Sequence, residues 1–122
     1  NLCAFYAEEV TVDGAPLRLY HHIKTFKEKG HMHKVDAVGT GCILIKRKVL
    51  ETVFPKFDGR PFEFGEIKFK EPLHWRGDTY TRRTMGEDCE FSERAVDAGF
   101  EIWIDDRVRP YHLTRLGAVI YK

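Results

Sequence analysis

An α/β fold carrying a β-hairpin is predicted by three features of the sequence. Val10 and Val12 alternate with polar residues, Asp13-Gly14 supplies a turn, and Leu17 and Leu19 resume the alternation. The segment Gly86 to Ala98 places apolar residues at helical spacing behind an acidic first turn. Between them, Val35 to Ile45 is apolar and broken by Gly39-Thr40-Gly41. That pattern reads as a short strand, a glycine turn and a buried strand over Cys42–Ile45.

The elements follow in chain order. Glu9 to Leu19 is the hairpin, with Ile23 extending its alternation. Phe26 to Lys34 is polar, contains Gly30 and reads as a loop. Arg47 to Val53 is a short helix with Val49, Leu50 and Val53 on one face, stopped by Pro55. Asp58 to Arg83 is the least regular stretch, a long loop with room for short strands. It holds Pro61, Pro72 and five aromatics, Phe62, Phe64, Phe69, Trp75 and Tyr80. The second helix has two competing caps, Thr84 in a capping box with Glu87, and Gly86. Its apolar stripe is Phe91, Ala95 and Ala98, within ~60° of one another on the helix. Gly99 suits a left-handed terminus. Glu101 to Ile104 and Arg107 to Leu113 read as strands joined by an Asp105-Asp106 turn. The tail from Thr114 ends in an apolar run, Ala118–Tyr121.

Composition excludes several classes of protein. The chain has 122 residues, which suits one domain. Sixteen aromatics (nine Phe, five Tyr, two Trp) and 43% hydrophobic residues argue against disorder. Twenty Lys+Arg against nineteen Asp+Glu gives no overall attraction to nucleic acid or anionic membrane. The apolar runs are too short for a transmembrane helix. Cys3, Cys42 and Cys89 are odd in number and widely spaced, with no CxxC, and read as buried small hydrophobes. Such usage points to a reducing compartment, the cytoplasm.

Few residues are placed to do chemistry. Glu87 and Asp88 sit where a loop becomes a helix, a rigid mount for a general base, although an acidic first turn equally complements the helix dipole. His112 follows a strand and a proline; an imidazole there could hold a metal or carry protons, or simply accept a structural hydrogen bond. His21 and His22 are adjacent, so on a strand they face opposite ways. His31 and His33 share a face if extended, but no nearby carboxylate or cysteine completes a metal site. Gly39-Thr40-Gly41 lacks both nucleotide-loop spacings and is better read as a tight turn that lets a ligand approach closely. Trp75, after His74 in the aromatic stretch, could contact a ligand.

The order of these pieces resembles the second half of a family 2 glycosyltransferase catalytic domain of the GT-A fold. The resemblance is carried by Val35-Asp-Ala-Val-Gly-Thr-Gly-Cys-Ile-Leu-Ile-Lys-Arg-Lys-Val-Leu, by Gly86-Glu-Asp-Cys-Glu-Phe-Ser-Glu-Arg-Ala-Val-Asp-Ala-Gly-Phe, and by Val108-Arg-Pro-Tyr-His112. It runs from about Val35 to His112. It implies a partial GT-A mixed sheet with flanking helices, and an inverting transfer of a sugar from a nucleotide-sugar donor to a hydroxyl of a glycan or other acceptor. Asp88 then matches the base that deprotonates the acceptor, and Glu87 its partner in the motif. Gly39, Thr40 and Gly41 match the turn lining the cleft. Trp75 falls where such enzymes place an aromatic against a sugar. His112 matches the histidine that helps hold Mn²⁺ or Mg²⁺ on the donor diphosphate, a cofactor expected for the complete domain. Arg94 matches a helix anchor.

No Asp-x-Asp occurs in the sequence, and the segment before Val35 is too short to hold a nucleotide. The chain is therefore expected to be the acceptor-side part of a larger domain, inactive without an N-terminal nucleotide-binding half. It is also expected to self-associate or to pair with that half through exposed sheet edges. The alternative is a non-catalytic carbohydrate- or protein-binding module on the same scaffold. A metal-dependent hydrolase using the six histidines is disfavoured by their spacing.

Overall fold

The hairpin comes first. In the computed structural model, which describes residues 3–27, 29–56, 62, 64–108, 111–114 and 117–120, β1 (Ala4–Val12) pairs antiparallel with β2 (Ala15–His22). Asp13 and Gly14 turn the chain with positive φ, 51° and 77°. A type I′ hairpin turn needs that geometry at both central residues, so the pair fixes the register Val12↔Ala15. The hairpin is longer at both ends than its alternation suggested.

The loop expected over Phe26–Lys34 ends early, because β3 (Met32–Val35) is a strand. It is followed by β4 (Ala37–Val38), which pairs with β1 and makes the three-stranded order β2-β1-β4. The two residues of β4 face opposite ways, as strand geometry demands. Ala37 packs with Met85 and Cys89, against Phe5 and Tyr20. Val38 packs with Ala4 and Val35, against Ile23, Phe26, Ile102 and Ile104. One short strand thus separates two small cores.

The strand expected over Cys42–Ile45 does not form. Leu44 is 99% exposed, and Cys42 and Ile43 are exposed too. An apolar run becomes a buried strand only beside another strand, and no described strand lies alongside this one. The helix that follows is α1 (Arg47–Lys56), with Val53 fully buried and Pro55 in its last turn rather than beyond it.

The largest correction concerns the aromatic stretch. From Gly65 onward it is a bulged hairpin, β5 (Gly65–Trp75) paired with β6 (Asp78–Met85) across an Arg76-Gly77 turn, while residues 58–61 and 63 of the stretch lie outside the described residues. A register shift between Lys68 and Leu73 breaks the alternation, which hid the strands from a periodicity test. Most residues of both strands are exposed, so there was little apolar patterning to find.

Helix α2 (Glu87–Asp97) is capped by the extended Gly86, not by Thr84, which belongs to β6. Cys89, Phe91, Ser92 and Ala95 are its buried face. Gly99 takes φ 94° after the helix, as its position implied. β7 (Ile102–Asp105) then pairs antiparallel with β3. β8 (Tyr111–Thr114) pairs with β9 (Gly117–Ile120).

Among the described residues the result is a mixed α/β arrangement of two helices and four small sheets. Every described strand pair is antiparallel. The mixed sheet is therefore not assembled within the described residues. Parallel pairing needs a crossover connection, whereas the pairs β1–β2 and β5–β6 join across tight turns. Among the described residues no helix is long and apolar enough to cross a membrane.

Candidate functional site

The N-terminus of α2 meets the end of β4. Val38 N–H donates to the buried hydroxyl of Ser92, 3.2 Å away, which ties the strand to the helix. Gly39 N–H donates to the Cys3 carbonyl at 2.8 Å. The chain leaving β4 is thereby pressed against the first turn of α2. A Cβ on Gly39 would overlap the Cys3 sulfur, lie 3.1 Å from Cys3 Cβ and lie 3.7 Å from Asp88 Oδ2. Only glycine leaves room there.

The two motifs that stood apart in sequence therefore converge on one spot. Asp88 is half-buried, and its Oδ1 accepts the Cys89 N–H at 2.7 Å. That bond orients the carboxylate at a helix end where negative charge is favoured. Two thiols feel it. Burial pushes the Cys89 thiol up to about 12, with Asp88 and Cys3 adding to the rise. Cys3, an exposed residue whose sulfur lies against Gly39, is raised by that partial burial first and by the Asp88 charge second. Glu87 is exposed, Thr40 half-buried, and Gly41 exposed with no atom near where its Cβ would stand. Cys3 and Cys42 are exposed, so only Cys89 fits the buried reading of the three cysteines.

A groove of about 420 Å³ runs between the β1–β2 and β5–β6 hairpins. Its lining includes Gly86 and Cys89, which flank Asp88 in the chain. Trp75 forms part of its wall. The indole meets the tilted His21 ring at 5.2 Å and Tyr80 at 6.4 Å, and carries the Arg76 guanidinium 4.4 Å from its centroid. Deeper in, Arg83 donates to the Arg18 carbonyl at 3.0 Å and pairs with Glu93 at 3.5 Å. Arg18 bonds Asp97 at 2.6 Å, which raises its pKa. Burial raises Glu93 and pushes Tyr20 up to about 12, despite the arginines beside them.

Trp75 thus shares a groove with the residues around Asp88, and a Cβ placed on Gly39 would come to 3.7 Å from Asp88 Oδ2. His112 lies on β8 in register with Val119, and its side chain is outside the described residues. Among the described residues no three His, Cys, Asp or Glu side chains are arranged to hold a metal ion. The surroundings of Asp88, a backbone N–H and two thiols, are not the oxygen set that Mg²⁺ takes.

Histidines were misjudged in one place. His31 and His33 do meet a carboxylate, that of Asp106 from the expected turn. His31 Nδ1 lies 2.8 Å from one Asp106 oxygen and His33 Nε2 3.1 Å from the other. His33 is 3% exposed and stacks on Phe26 at 4.0 Å. Each ring takes a different oxygen, so the three groups are hydrogen-bonded rather than convergent. The pairing of β3 with β7 brings them together, and no spacing rule foresees it. His21 and His22 do face apart, toward Trp75 and Phe5 respectively.

No protein-family model, curated protein or solved structure matches the chain.

Proposed function

We propose that the chain is the acceptor-side part of a family 2-like glycosyltransferase domain, with Asp88 as its general base. The observation that carries this reading is the approach of Gly39 to the Asp88 carboxylate, which joins the two resembling motifs at one place. In this reading Asp88 takes the proton of an acceptor hydroxyl. The freed oxygen attacks the anomeric carbon of the donor, and the bond to the nucleoside diphosphate breaks with inversion. A positioned carboxylate contributes roughly 10²–10⁴-fold to such a step. Gly39 provides the close backbone approach, Trp75 a face for the sugar, and Glu87 an exposed second carboxylate. Binding of the nucleotide-sugar, and the divalent metal with it, is assigned to an N-terminal half with which this chain pairs. The three unpaired cysteines support a reducing, cytoplasmic setting.

The test is sugar transfer by the full-length protein with Asp88→Asn. Transfer is expected to fall by about two orders of magnitude or more. Transfer within a factor of about two of wild type would remove Asp88 from the mechanism. Robust turnover by this chain alone would overturn its reading as a half-domain.

The groove beside Trp75 favours one second reading, a binding module that recognises a glycan without catalysis. Calorimetric binding of an acceptor glycan, with no affinity for nucleotide or Mn²⁺ and no transfer by the full-length protein, would select it.

A further inference from the structure

We propose that the groove between the β1–β2 and β5–β6 hairpins binds a sugar that carries an anionic group, a carboxylate or a phosphate. This rests on the transferase reading only in making that sugar the acceptor; the binding itself needs no chemistry.

Charge is the first argument. The chain as a whole is balanced, with 20 basic and 19 acidic residues. The groove is not. Arg18, Arg82 and Arg83 line it, and no aspartate or glutamate does. From outside the lining, Glu9, Glu93 and Asp97 neutralise much of the Arg18 charge and Glu93 part of the Arg83 charge, which leaves Arg82 as the main contributor. Arg82 is held only loosely, 3.9 Å from an exposed Glu66, so its guanidinium is free to turn to a ligand. A concave wall of one sign concentrates its potential on whatever enters.

A buried donor is the second. The Arg83 side chain is 10% exposed, and its Nε–H has no hydrogen-bond partner among the described residues. That N–H is sealed from water, so a turn of the Arg83 side chain toward the groove is needed to pair it, and an anionic oxygen is then its strongest acceptor. The third argument is the wall itself. Trp75, Tyr80 and Phe69 line the same groove, with the apolar surfaces against which the C–H face of a sugar ring packs. Arginines with aromatics match a ring bearing a negative charge better than a free anion or a neutral sugar. A ligand held there lies beside Gly86 and Cys89, within reach of Asp88.

The test is calorimetric titration of the protein with three probes: tri-galacturonate, glucose 6-phosphate and neutral maltotriose. At least one of the two acidic probes should bind about tenfold or more tighter than maltotriose. That affinity should fall as salt is raised. Whichever acid binds more tightly identifies the anionic group. Arg82→Gln and Trp75→Ala, both at surface-accessible positions, should each weaken the preferred probe about fivefold or more. Equal binding of maltotriose, binding of neither acidic probe, displacement by inorganic phosphate as readily as by the sugar acid, or unchanged affinity in both variants would overturn the proposal. If these titrations fail while Asp88→Asn still abolishes transfer, the groove assignment falls and the transferase reading stands. The converse pattern separates them in the other direction.

Discussion

The hydroxyl of Ser92 accepts the backbone N–H of Val38 at 3.2 Å, in a buried contact between residues 54 apart in the chain. It is the bond that holds the end of β4 against α2. Ser92→Ala would leave that N–H buried and unpaired, at a cost of about 1–3 kcal/mol. Ser92→Ala is expected to lower the denaturant midpoint without changing the slope of the transition. An unchanged midpoint would show that the strand and helix are held otherwise.

Gly39 is constrained by space, since its φ is unexceptional. Gly39→Ala must displace the Cys3 side chain, and overpacking of this kind costs about 1–3 kcal/mol. Removing the obstructing sulfur with Cys3→Ala in the same molecule should recover more than half of the loss. The coupling is read from a double-mutant cycle in melting temperature. Strict additivity would place Cys3 elsewhere.

The three thiols should differ in reactivity. Alkylation proceeds through the thiolate, so a raised pKa slows it at about pH 8. Cys89 is buried with its pKa near 12, so it should be modified last. Cys3 is held back in part by the Asp88 charge. Asp88→Asn should therefore accelerate Cys3 and leave Cys42 unchanged, as followed by peptide mass spectrometry. Equal Cys3 rates in the two proteins would contradict the closeness of thiol and carboxylate.

Asp106 links stability to pH. Hydrogen bonds from His31 first, and from His33 second, hold its carboxyl below the usual range. A carboxylate depressed in the folded state stabilises above its unfolded value of about 3.9, and that contribution is lost as pH falls through the folded value. Asp106→Asn should thus be less stable than wild type at neutral pH, with the gap closing under acid conditions. A gap that stays constant with pH would sever the link. His33→Ala, which empties a buried site stacked on Phe26, should cost about 2–3 kcal/mol.

What the sequence disclosed followed from how local each signal was. The first hairpin was legible because alternation and the Asp13-Gly14 turn agree within a few residues. Helix α2 was legible from its acidic start, its apolar stripe and Gly99. The second hairpin was not, because its bulge spoils the period and its faces are mostly exposed. Cys42–Ile45 looks like a strand by composition, and composition cannot supply a neighbouring strand. At the candidate site Asp88 and Gly39 were singled out, and their nearness depends on long-range packing that no spacing rule contains. The Arg83 donor and the acid-free groove were missed altogether, since residues from four strands and a helix make that wall.

The mix of near and distant pairings has a consequence in time. Each of the two long hairpins closes through its own turn, an event of order microseconds. The His33–Asp106 clasp joins residues 73 apart, and closing so long a loop costs entropy that its contacts repay only at the end. Pulsed hydrogen exchange during refolding should accordingly protect β1 and β2 before β3 and β7, and simultaneous protection would refute that order. Asp88 and Gly39 belong with the late contacts. Through most of folding the Asp88 carboxylate then stands apart from the Gly39 turn, and the two come near only when the last strands have paired.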